Sequence, residues 1–153
     1  MKVTMLLADA AQTVGGKLYI LGGGWSITGP QPTPMAIAIK IEVPWTETNI
    51  RHQLKLSLLD EDERPVMKPS HKGNEPYEVT ASFEVGRPPG LRAGTPLDVS
   101  LAINIGPLSL EPDQRYTWRC YIKNDTKDDW DTKDDWRVSF LMRPSAPPTH
   151  GTP

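Results

Sequence analysis

The stretch Arg115–Met142, RYTWRCYIKNDTKDDWDTKDDWRVSFLM, decides the fold that we predict for this chain. At both of its ends apolar and polar side chains alternate, which is the period of two of half-buried β-strands. The side chains expected to face inward are Tyr116, Trp118, Cys120, Ile122, Trp136, Val138, Phe140 and Met142. The stretch therefore predicts a long β-hairpin whose two strands contribute to the core.

The connection inside this hairpin repeats a phrase, TKDDWD followed by TKDDW. Residues 124–135 hold six aspartates and two lysines, a net charge of −4 that favours solvent. One interpretation is a binding loop, with Trp130 stacking on a sugar or anchoring a protein partner. The other is a tandem duplication that lengthened the hairpin, in which Trp136 keeps the original role and Trp130 is its copy. The candidate interaction residues are Asp128, Asp129, Trp130, Asp131, Asp134 and Asp135.

The rest of the chain shows the same strand pattern with turn signals every 8–12 residues and no convincing helix. We therefore predict an all-β fold, an antiparallel β-sandwich of eight or nine strands that is Ig-like or jelly-roll-like. The 16 prolines among 153 residues cluster at breaks between the strands, as such a fold requires. Residues 1–144 are expected to form one domain, and residues 145–153 a flexible Pro-rich tail.

The first strands differ from the later ones because their outward faces are also apolar. The side chains concerned are Leu6, Leu21, Ala36 and Ala38. We predict a strand at Lys2–Ala8 and a connection at Asp9–Gly16, with a turn at its two glycines. Two explanations stay open: either loops at 10–14 and 44–50 fold over this face, or another subunit covers it. The second explanation makes these four residues a candidate self-association face.

No constellation of residues predicts catalysis, a metal site or a cofactor. The three histidines are scattered and have no zinc-ligand spacing. Cys120 is interpreted as a core thiol rather than a nucleophile. Gly22–Gly24 lacks a phosphate-binding pattern and predicts a bulge, a sharp bend or a close backbone approach. The acidic turn Asp60–Glu63 is expected to be a solvated hairpin tip rather than a calcium site.

Charge and composition argue against nucleic acid and membranes as partners. The formal net charge is −2 and no basic face is evident, which argues against nucleic acid. No apolar stretch approaches the length of about 20 residues that spans a membrane. A single cysteine cannot form an internal disulfide, so a cytoplasmic protein is expected.

Three phrases together resemble a family of small bacterial proteins that carry a domain of unknown function. They are the opening KVTMLLADAAQTVGGKLYILGGGWSITGP, the phrase IKIEVPWTETNIRHQLKLSLLDEDERPV, and the ending YTWRCYIKN with DDWRVSFLMRP. The resemblance implies a single compact domain and a shorter final loop with one Trp, from which the doubled TKDDWD departs. It implies no activity and no site residues.

The sequence thus favours a non-enzymatic protein that binds another protein or itself, as a homo-oligomer. A carbohydrate-binding module that uses the loop 124–136 is the first alternative. A hydrolase with paired carboxylates on loops is the second alternative, although no two carboxylates stand out.

Overall fold

The computed structural model describes residues 1–146, and this part of the chain is all-β, as predicted. The strands are β1 (Lys2–Val14), β2 (Lys17–Gly23), β3 (Ile27–Thr28), β4 (Met35–Val43), β5 (His52–Leu59), β6 (Met67–Ser70), β7 (Gly73–Pro76), β8 (Glu78–Phe83), β9 (Leu97–Ile105), β10 (Arg115–Asn124) and β11 (Arg137–Met142). A single 3-10 turn spans Trp45–Glu47. No helix within residues 1–146 is long and apolar enough to cross a membrane. The predicted tail falls outside the described part of the chain from residue 147 onward.

The strands form two larger sheets and one small one. The first sheet has the order β2-β1-β4-β9, and all its neighbours are antiparallel. The second has the order β3-β11-β10-β5-β8, in which only the short β3 runs parallel to its neighbour. The short β6 and β7 pair with each other in a range whose polar, Pro-containing sequence predicts a loop. With β3, they bring the strands of the described residues to eleven, where eight or nine were expected.

One hydrophobic cluster lies between the two larger sheets and takes buried side chains from both. β4 contributes Ile37, Ile39 and Ile41, each with no exposed area. Trp118 and Phe140, on β10 and β11, are buried opposite them. Seven of the eight side chains predicted to face inward in the closing hairpin are buried, and Val138 packs against the cluster while half-buried. The alternating pattern therefore identified the core face of this hairpin correctly.

The prediction for the first strand was wrong beyond Ala8. Residues 9–14 were expected to be a connection, but β1 continues through them to Val14. Only Gly15 and Gly16 form the turn, and both have positive φ, as a two-residue hairpin turn of the I′ type needs. The backbone of residues 8–14 pairs with β2, so this segment is a strand and not a loop. β1 and β2 thus form a hairpin that extends beyond the part of β1 paired with β4.

Candidate functional site

The β1–β2 hairpin bends over the outer face of the first sheet, the face turned away from the main core. Asn104 of β9 joins it to that face through the backbone of Ala11. The Ala11 N–H donates to Asn104 Oδ1 over 3.3 Å, and Asn104 Nδ2 donates to the Ala11 carbonyl over 2.8 Å. Nearer the turn, the Thr13 hydroxyl donates to the Ser100 carbonyl over 3.5 Å. Two positions of β1, Ala11 and Thr13, are thereby linked to the edge strand β9.

A second, small hydrophobic cluster forms under the bent hairpin. Its buried members are Ala8, Ala11, Ala36 and Ala38, with Leu18 and Ala102 packed against them. Only small side chains allow β1 to approach the sheet this closely. Ala36 and Ala38 are 0% and 3% exposed, so assigning them to an open self-association face was wrong. Residues 10–14 do cover this face, but as a strand of a hairpin and not as a loop.

Gly22 and Gly23 permit the close packing at the base of the hairpin. A Cβ on Gly22, where φ is +60°, would collide with the Asp9 carboxylate. A Cβ on Gly23 would lie 2.6 Å from Ile20 Cγ2. Side chains of neighbouring residues thus lie close to the backbone of Gly22 and Gly23, which leaves no room for a Cβ at either position.

The surface of the hairpin that remains open is strongly apolar. The exposed large hydrophobic residues on it are Leu6, Val14, Tyr19, Ile20 and Leu21. They make up five of the eight such residues in the described part of the chain, and Leu21 is 71% exposed. A groove of about 380 Å³ on the hairpin is lined by Ala10, Ala11, Gln12, Tyr19, Ile20 and Leu21. Exposed apolar area concentrated in this way marks an interaction surface more often than scattered single residues do.

β2 is also an edge strand, since it pairs with β1 alone. Among residues 1–146 no further backbone group bonds to its outer side. Natural edge strands are commonly protected by prolines, inward charges or bulges along their length. β2 carries one charge, Lys17, at its start, and no proline. We take this apolar hairpin as the candidate functional site.

The sequence pointed to this site only in part. Leu6 and Leu21 were predicted to lie on outward faces covered by loops or by another subunit, and within this chain both are exposed. Val14, Tyr19 and Ile20 were missed. The available signal was the run of four apolar residues from Leu18 to Leu21, which gives β2 two apolar faces between a glycine turn and a glycine run.

The acidic loop, the other candidate, lies against its own sheet. Asp131 and Ile122 exchange two backbone hydrogen bonds of 2.8 and 2.9 Å. The Thr132 hydroxyl donates to the Cys120 carbonyl over 2.8 Å, and the Cys120 N–H donates to the Trp136 carbonyl over 2.9 Å. The last residue of each copy, Asp131 and Trp136, therefore bonds to the backbone of β10 on the side where β11 pairs with it.

The two tryptophans of the duplicated phrase have different environments. Trp136 is 2% exposed and belongs to the main core. Trp130 is half-buried on the outer face of the second sheet, where the ammonium groups of Lys55 and Lys123 lie 4.6 and 5.1 Å from its ring centroid. Those cations are attracted to the ring face. Trp130 is thus engaged by its own chain.

The aspartates of the loop do not converge. The five aspartates among the candidate loop residues are all exposed: Asp128, Asp129, Asp131, Asp134 and Asp135. Only Asp134 reaches a cation, with its carboxylate 3.5 Å from the Arg119 guanidinium. Within residues 1–146 no three carboxylate, imidazole or thiol groups come together as a metal ion would need.

Two side chains of reactive types, Cys120 and His52, are buried. Burial raises the pKa of the Cys120 thiol to about 12, so the thiolate is not formed at neutral pH. His52 is buried and its ring stacks on Phe83 with the centroids 5.1 Å apart. Cys120 has no exposed area, and His52 is 2% exposed.

Comparison with known proteins gives a family but no function. A family model described as a family of unknown function (DUF6941) matches residues 3–131, so the chain belongs to that family. The match includes the β1–β2 hairpin from Val3 onward and ends at Asp131, the last residue of the first TKDDWD copy. No curated protein and no solved structure matches the chain.

Proposed function

We propose that this member of a family without an assigned function is a non-catalytic protein-association module. The observation that supports the proposal is the apolar β1–β2 hairpin, which ends the first sheet in an unprotected edge strand. Such an edge can add a strand from another chain, with main-chain hydrogen bonds giving affinity and apolar side chains giving specificity. The binding surface comprises Leu6, Val14, Tyr19, Ile20 and Leu21.

Burial of this surface against a partner would contribute favourable free energy to binding. Full burial of a single large aliphatic side chain contributes about 1.5–3 kcal/mol. Five partly exposed side chains on one hairpin therefore outweigh the isolated Leu91 or Met67, which lie elsewhere on the surface. The proposed location is the cytoplasm, in line with a single cysteine that has no disulfide partner.

The two alternatives have weaker support. A carbohydrate module would use Trp130 as a stacking platform, but Lys55 and Lys123 are already placed over its ring. A hydrolase would need two facing carboxylates in a cleft. The clearest polar cleft is lined by Asp60, Glu61, Glu63 and arginines, and Glu61 already accepts a hydrogen bond from the Arg115 N–H.

A site-specific photo-crosslinking residue at position 21, introduced in cells, tests the proposal. We expect covalent protein adducts from position 21 and none from the matched position 91, because Leu91 is exposed but stands apart from the hairpin. The same adducts should disappear when Tyr19→Lys is added to the position-21 variant. An equal adduct yield from positions 21 and 91 would overturn the proposal.

A further inference from the structure

We infer that the partner of the hairpin is a second copy of this chain, joined by antiparallel pairing of β2 with β2 around a two-fold axis at Ile20. This inference rests on the proposed function and specifies the partner. The two first sheets would then become one sheet of eight strands, in the order β9-β4-β1-β2-β2-β1-β4-β9. Closed two-fold dimers of this isologous kind are the commonest soluble oligomers.

The pairing of β2 with β1 leaves the backbone N–H and C=O groups on the outer side of β2 free for a second strand. Val14 and Lys17 flank the two-residue turn and form the first pair of the hairpin. In an antiparallel pair, successive residues point their backbone groups alternately toward and away from the partner. Lys17, Tyr19 and Leu21 therefore bond to β1, while the N–H and C=O groups of Leu18 and Ile20 point away from it.

In this register the one charged residue of β2 does not face the same residue of the second copy. Ile20 is the middle residue of the seven in β2, so an axis there pairs the whole strand with its copy. Lys17, the one charged residue of β2, then faces Gly23 of the second copy instead of another lysine. Like charges directly opposite each other would be destabilising, and this register avoids them.

The side chains are complementary in the same register. Tyr19 lies opposite Leu21 of the second copy, and Leu21 lies opposite its Tyr19. Aromatic side chains paired with large aliphatic ones stabilise a sheet by roughly 0.2–1 kcal/mol per pair. Val14 lies on the same face of each hairpin as Tyr19 and Leu21, so these three side chains of the two copies form one continuous apolar patch. A register centred on Tyr19 would instead leave Gly22 and Gly23 beyond the paired segment.

The substitution Ile20→Pro tests the pairing directly. Proline removes the outward N–H of residue 20 and is tolerated on edge strands whose N–H faces solvent. The bonds to β1 made by Tyr19 and Leu21 remain, so the hairpin keeps its own ladder. Ile20→Val is the matched control, because it keeps the N–H and most of the apolar surface.

Sedimentation equilibrium of the full chain measures the mass and the dimer dissociation constant of each variant. The unmodified protein and Ile20→Val should have the mass of a dimer, and Ile20→Pro should raise the dimer dissociation constant at least 10-fold. Circular dichroism of Ile20→Pro should keep the β-sheet signal. A monomeric unmodified protein at millimolar concentration, or a dimer unaffected by Ile20→Pro, would overturn the inference.

Disulfide trapping tests the register by a second route that does not depend on proline. In a Cys120→Ala background, Ile20→Cys should oxidise to a covalent dimer, because the paired Cα atoms of this register lie within disulfide range. Leu91→Cys should stay monomeric under the same conditions. Failure of Ile20→Cys to crosslink would overturn the register. If position 21 crosslinks only to other proteins, the second copy is excluded while the proposed association function stands.

Discussion

Asn104 and Ala11, 93 residues apart, are joined by two hydrogen bonds between a side-chain amide and a backbone peptide group. This relationship determines where the β1–β2 hairpin lies. It holds the bend of β1 over Ala36 and Ala38 and turns the apolar side of the hairpin outward.

Replacing Asn104 with Ala should loosen the hairpin without unfolding the chain. Loss of the amide leaves the half-buried Ala11 N–H and C=O unpaired, which costs about 1–3 kcal/mol. Hydrogen exchange should show faster exchange at Ala11 and along β2, while β4 and β10 stay protected. Ser100→Ala is the matched control, since Thr13 bonds to the carbonyl of Ser100 and not to its hydroxyl. Equal exchange in Asn104→Ala and Ser100→Ala would contradict the anchoring role.

The two tryptophans of the repeated phrase should differ in their contribution to stability. Trp136→Ala removes a buried aromatic side chain and should lower the free energy of unfolding by about 3–5 kcal/mol. Trp130→Ala removes a half-buried ring and its two lysine contacts, each of which contributes about 0.5–1 kcal/mol at a surface. Urea denaturation measures both losses. Similar losses would mean that the two copies are structurally equivalent.

Trp118→Ala should also cost about 3–5 kcal/mol, because Trp118 is 1% exposed at the centre of the main core. Urea denaturation compares the loss of unfolding free energy in Trp118→Ala with that in Trp130→Ala. A loss below about 1 kcal/mol would show that β10 is not packed as described.

Deleting one TKDDWD copy, residues 126–131, should preserve the fold. The deletion removes the bonds between Asp131 and Ile122 and the contacts of Trp130, but it keeps Trp136 and β11. We expect a cooperative thermal transition at a lower temperature than that of the full chain. A control that adds Trp136→Ala to the same deletion removes the remaining core ring and should lower the transition temperature further. Loss of cooperative melting in the deletion alone would show that the added copy is essential.

Stability should fall in alkaline solution through Cys120. Its pKa is raised by burial from the ordinary value of 9.0 to about 12. Above pH 9 the unfolded thiol loses its proton while the folded thiol keeps it, so the stabilisation present at lower pH is lost as the pH rises. The loss is about 1.4 kcal/mol per pH unit in this window. The difference in unfolding free energy between the unmodified protein and Cys120→Ala, measured from pH 8 to 10.5, isolates this contribution. A constant difference across that range would refute it.

The all-β class and the core faces of the two strands that close the chain could be predicted from the residue pattern alone. Alternation is a local property: once Tyr116–Ile122 is extended, every second side chain must point to one side of the sheet. The positive φ at Gly15 and Gly16, and the steric restriction at Gly22, were likewise readable from residue types.

The position of the β1–β2 hairpin and the burial of Ala36 and Ala38 depend on tertiary contacts and could not be predicted from the local pattern. Ala36 and Ala38 carry the same local pattern whether a subunit, a loop or a strand covers them. The outcome depends on Asn104 bonding to Ala11 across 93 residues, a contact that no local period encodes. In the same way, identical TKDDW phrases place Trp136 in the core and Trp130 on the surface, because only Trp136 directly precedes β11 and points between the sheets.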